Sequence, residues 1–133
     1  MSCKSALYTA LQTPTAVAVD GVIPLGSLIR RYGCDISLNG NAVNLSNAGY
    51  YDVDVSVTVA PTAAGTVTAT LVKDGVAIPG ATASAAAAAG APTVLSFPAL
   101  VRQACCAAGS ALTLVLTGAA ATVNNVALRV QRI

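Results

Sequence analysis

Asp52 and Asp54 come nearest, by residue type and spacing, to a group able to do chemistry. Residues two apart on extended chain share a face, about 6–7 Å from one another, so the pair resembles an acid and a base for glycoside cleavage. The rest of such a site is missing. The chain has no His, and its five acidic residues are all Asp, which removes the usual general base near neutral pH and the commonest zinc ligand. No Gly-x-Ser-x-Gly elbow occurs, nor a Gly-rich phosphate loop closed by Lys-Ser or Lys-Thr. The pair reads instead as a polar strand edge, solvated or facing an interface. The sequence points away from an enzyme.

The other candidates for chemistry are the thiols Cys3, Cys34 and the vicinal Cys105-Cys106. A structural zinc site draws on short-spaced pairs such as C-x-x-C, whereas adjacent residues of an extended chain point to opposite sides. Free thiols packed as small hydrophobes are the default, and a disulfide of Cys34 with Cys105 or Cys106 is the candidate bridge if the protein meets an oxidising exterior. Asp20, Asp35, Asp52, Asp54 and Asp74 are oxygen donors of the kind calcium takes. No dense D-x-N-x-D loop gathers them, and the Asn-rich SLNGNAVNLSN supplies turn geometry. No cofactor and no metal are expected.

The elements that must carry these residues announce themselves by alternation. In Gly49–Pro61, GYYDVDVSVTVAP, Tyr51, Val53, Val55, Val57 and Val59 fall on one side, and Tyr50, Asp52, Asp54, Ser56 and Thr58 on the other. That is a strand with one face on a core. Thr66–Val72 repeats the pattern, and Lys73-Asp74-Gly75 turns the chain into Val76–Ile78. Ile36, Leu38, Val43 and Leu45 are the apolar teeth of two short strands around Asn39-Gly40-Asn41. Leu112–Leu116 and Val126–Val130 are further strands, the last with Val126, Leu128 and Val130 inward and Ala127, Arg129 and Gln131 outward. Val94–Val101 is extended and broken by Pro98, and 102–110 is a loop. The run PGATASAAAAAGAP invites a helix because Ala is the best helix former. It is short and bracketed by Gly80 and Gly90, so a strand or loop is expected. Residues 1–30 read as a leading arm with short strands at Ala16–Val19 and Val22-Ile23, and 31–133 as the main body of a single compact domain.

Composition narrows the class. Hydrophobic residues make up 55% and charged residues 9%, against a usual charged share of roughly 25%. That excludes disorder, and the short Ala runs leave no membrane span. So few charges defend a monomer's surface poorly, which favours burial against copies of itself. The bases are scattered, only Arg30 and Arg31 being adjacent, and no aromatics interleave them, so nucleic acid is not an expected partner. The opening MSCKSALYTA lacks the apolar core of a secretory signal. Synthesis in a cytoplasm (a bacterial one, by the resemblance named below) without a cleaved signal peptide, or release by a route that uses none, is the corresponding expectation.

Strands every 8–12 residues between Gly, Pro and Asn indicate an antiparallel β-sandwich of about eight to ten short strands. NAGYYDVDVSVTVAPTAAGTVTATLVKDGVAIPG and the closing AAATVNNVALRVQRI resemble the jelly roll of the tumour-necrosis-factor and complement-globular-head superfamily, nearest to its bacterial and phage branch, which includes the tip domains of collagen-like spore-surface glycoproteins. The shared features are a Gly-x-Tyr start to a central strand, an nGv.ipG turn and a short final strand. The collagen-like stem of the spore proteins is absent here. The resemblance implies a homotrimeric jelly roll whose final strand lies beside the Gly-x-Tyr strand. Arg129 would then face Asp52 and Asp54, with Tyr50 and Gln131 on the same side, either as a trimer interface or as an exposed sheet. It further implies a non-enzymatic structural or adhesive protein on a virion or extracellular surface, as a phage or prophage decoration or fibre-head protein. The arm would hold a capsid or other virion protein. The alternative is a recognition module of a bacterial cell or spore surface that takes a glycan or host protein.

Overall fold

The computed structural model describes residues 5–33, 35–103 and 109–133. Among them run eleven strands: β1 (Ala6–Leu11), β2 (Thr15–Val17), β3 (Ser27–Tyr32), β4 (Ile36–Asn39), β5 (Ala42–Leu45), β6 (Gly49–Pro61), β7 (Gly65–Lys73), β8 (Val76–Ala87), β9 (Thr93–Gln103), β10 (Ser110–Thr117) and β11 (Ala121–Arg132). They form two antiparallel sheets. A six-stranded sheet has the order β3-β1-β11-β6-β9, with β2 also on β11, and a five-stranded sheet has the order β4-β5-β10-β7-β8. The antiparallel sandwich expected from the alternation is the observed architecture.

Between the sheets lies one core. The inward side of β6, Tyr51 through Val59, is buried together with Val67, Leu71, Leu112, Leu114, Leu116, Val126, Leu128 and Val130. Side chains on a strand alternate faces, so two sheets with one apolar face each must stack. The β7–β8 turn uses Asp74 and Gly75, both at positive φ, as the two-residue loop whose twist matches its strands requires.

The alanine-rich stretch is a strand as far as Ala87. It pairs with β7, and Thr68–Ser84 and Thr70–Thr82 hydroxyl pairs stand at 2.9 and 3.2 Å. Cross-strand pairing here outweighs the helix propensity of Ala. Pro98 does not interrupt β9. It lies opposite Asp54 on a strand at the sheet's edge, where one side carries no ladder and a missing N–H is tolerated. β9 accordingly runs on to Gln103, into the stretch expected as a loop.

Residues 1–30 differ most from expectation. The strand expected at Ala16–Val19 is Thr15–Val17, and the one expected at Val22-Ile23 is reduced to a single bridge from Val22 to Val115. β1 is inserted between β3 and β11, and Leu7, Ile23 and Leu25 are buried. From Ser5 onward the chain belongs to the sandwich instead of leading away from it, because Leu7 and Thr9 alternate with outward residues and have a core face to occupy.

Candidate interaction face and comparison with known folds

The register of β6 with β11 sets Arg129 opposite Asp54 and Gln131 opposite Asp52. Arg129 donates to the carboxylates of both Asp54 and Asp52, the latter at 3.5 Å. The three side chains are about half exposed, at 48%, 51% and 40% for Arg129, Asp54 and Asp52. A pair so open to water is worth about 0–1 kcal/mol. One guanidinium held between two carboxylates fixes charge in place on this face. The pairing of Arg129 with Asp52 and Asp54 that the resemblance implied is present within one chain.

Tyr50 is half exposed, opposite Arg102 on β9, and Gln131, opposite Asp52, is exposed. Two further tyrosines share this face and were missed from the sequence. Tyr8 on β1 is 40% exposed and lies between Arg129 on β11 and Arg30 on β3. Tyr32, at the end of β3, is 69% exposed. On the other flank β9 turns Val94 and Leu100 outward while Leu95, Phe97 and Val101 point in. The signal for Tyr8 was present in SALYTAL, where Leu7 and Thr9 alternate with it. Nothing local says which strand it lies beside. A charged centre ringed by three tyrosines and two aliphatic side chains thus covers the outside of the six-stranded sheet. A cavity of about 300 Å³ opens there, lined by Tyr8, Asp54, Ser56, Ser96 and Arg129 among others.

A second polar cluster sits where the chain's two ends meet. The Asp35 carboxylate is buried and accepts from Ser5 Oγ at 3.2 Å, Arg132 Nη1 at 2.7 Å and Asn47 Nδ2. Arg132 also donates to the Ala48 carbonyl, and Tyr51 Oη to that of Asn47. Burial pushes the Asp35 carboxyl up, but the hydrogen bonds from Asn47, Arg132 and Ser5, together with the Arg132 charge, hold it below the usual range. This ties strands β1, β4, β6 and β11 together. Asp35, offered as a calcium donor, is committed to Arg132 instead. Among the described residues no three acidic, His or Cys side chains converge. Asp74 lies far along the chain at the β7–β8 turn, its carboxyl held low mainly by the Ala111 N–H. It helps line a shallow cavity of about 460 Å³ with Ser37, Asn44, Ser46 and Ser110. Cys3, Cys34, Cys105 and Cys106, and with them the candidate disulfide, lie outside the described residues.

No family model matches the sequence, and no curated protein does. Solved structures do match it over nearly its whole length. Murine APRIL at pH 5.0 superposes with a TM-score of 0.75 at 12% identity, covering 98% of this chain and 99% of that one. The globular domain of zebrafish complement 1qA gives 0.70 at 8% identity, covering 96% and 95%. The PRD1 vertex protein P5 gives 0.61 at 14% identity, covering 100% and 99%. The chain shares the jelly-roll fold of these structures. Identities this low carry the fold alone.

Proposed function

We propose that this protein is a non-enzymatic structural or adhesive module that assembles as a homotrimer and is displayed on a phage or prophage particle. One observation carries the reading: the outer face of the six-stranded sheet, where Tyr8, Tyr32, Tyr50, Val94 and Leu100 stand exposed around Arg129, Asp52 and Asp54. Exposed apolar groups gathered around a polar centre mark a surface that another protein covers. Aromatic anchors beside a charge cluster supply both contact area and register. The likeness to a phage vertex protein along the whole chain favours the particle setting.

The location is tested by mass spectrometry of density-purified particles from the producing cells. A virion protein should band with the capsid in a fixed ratio to its major subunit. Recovery only in the cell-surface fraction would overturn the particle reading.

A second reading, recognition of a glycan or host protein at a bacterial surface, draws on the cavity near the β7–β8 turn. Its hydroxyls (Ser37, Ser46, Ser110), the Asn44 amide and the Asp74 carboxylate match the donor and acceptor pattern of a sugar. A glycan array discriminates: a signal lost on Asn44→Ala favours recognition, and a silent array removes this reading.

A further inference from the structure

The strand β3, SLIRRY, is unlike the others. It ends the six-stranded sheet beside β1, and all six of its residues are exposed, where neighbouring strands bury every second one. Its ladder to β1 is its one backbone pairing among the described residues. Its far edge therefore presents unpaired N–H and C=O groups, which proteins usually shorten, cover or block. The one irregularity of this ladder lies in β3 itself: Tyr8 pairs with Arg30 and Thr9 with Leu28, so Ile29 is the extra residue and the ladder is regular from Arg30 to Tyr32.

Charge narrows what can dock there. Arg30 shares the outer face with Tyr8 and Tyr32 and makes no ion pair among the described residues. Arg31, opposite buried Leu7, turns the other way and donates through Nε to the Ile36 carbonyl at 2.8 Å. Neither β1 nor β3 carries an acidic residue. Pairing of two β3 edges would crowd two arginine pairs together, so the edge selects against its own kind. An incoming strand with carboxylates would turn that repulsion into charge-assisted hydrogen bonds.

We propose that the outer edge of β3 is a docking site for an extended acidic segment of a partner protein, which adds to the sheet as a further strand. The ladder supplies affinity and Arg30 supplies the preference, with Ile29 and Tyr32 flanking it as apolar contacts. This edge adjoins the sheet face assigned to self-association and shares Tyr32 with it, but its backbone ladder is not part of that face, so the N-methylated peptide tests the edge apart from the oligomer.

The test titrates the full chain with the peptide Thr-Val-Asp-Val-Glu-Val-Thr, its counterpart with Lys at both acidic positions, and an acidic version N-methylated at alternate amides. Binding is read by calorimetry, with hydrogen exchange of the β3 amides and native mass followed alongside. The acidic peptide should bind at least about tenfold more tightly than the basic one, weaken with salt and protect the β3 amides. Arg30→Glu, a change at an exposed position, should reverse the preference, and N-methylation should abolish binding. Equal binding of the methylated peptide, an unaltered preference in Arg30→Glu, or no binding at all would each overturn the proposal. Ile29→Pro, which keeps Arg30 but blocks the edge, should lose the acidic peptide while retaining its melting transition; retained binding by a folded Ile29→Pro protein would likewise overturn it.

Discussion

Among the described residues Asp35 and Arg129 carry the two ion-pair arrangements, and water separates their weights. Asp35 is buried and hydrogen-bonded on every side, so Asp35→Ala leaves Arg132 beside an empty partner and should cost about 3–5 kcal/mol in urea unfolding. Its folded pKa is depressed, so the contribution is complete above the ordinary Asp value of about 3.9 and lost as pH falls through the lower folded value. Stability measured from pH 6 downward should therefore decline less steeply in Asp35→Asn than in the parent; parallel curves would remove Asp35 from the acid response. Arg129→Ala should change the folding stability of one chain by less than about 1 kcal/mol. Its effect belongs to the oligomer, whose dissociation should become easier, and an unchanged oligomer would take the pair out of the interface.

At the scale of elements, legibility followed how local the cause was. The alternation of Tyr51 through Val59 and the Asp74-Gly75 turn are properties of a few neighbouring residues, and both were readable. That Ala81–Ala87 is a strand depends on Thr68 and Thr70 waiting across the ladder, which a run of Ala cannot declare. The placement of β1 between β3 and β11 depends on pairing over more than a hundred residues, so Tyr8 and Tyr32 could not be joined to Arg129 beforehand. Gly26, where β3 begins, shows how tightly that placement is held. Its φ is +79°, and an added Cβ would stand 2.2 Å from the Ala10 carbonyl oxygen. Gly26→Ala should destabilise the chain by several kcal/mol, about the combined size of a strained backbone and a steric clash. A melting temperature equal to the parent's would contradict the close β1–β3 approach.

For the whole molecule, the N-terminal segment matters as structure. Removing residues 1–12 strips β1 from between two strands and uncovers Leu7's neighbours in the core. The truncated chain should lose cooperative melting altogether; a folded truncated trimer would restore the idea of a detachable arm. The low charge content and the tyrosine-ringed sheet face share one explanation if three copies cover that face together. Light scattering on a sizing column, with and without reductant, tests this most directly. The account predicts a mass near three times the 13.1 kDa chain, unchanged by reductant and reduced by Leu100→Asp. A monomer at working concentration, or an oligomer that reductant dissolves, would contradict it.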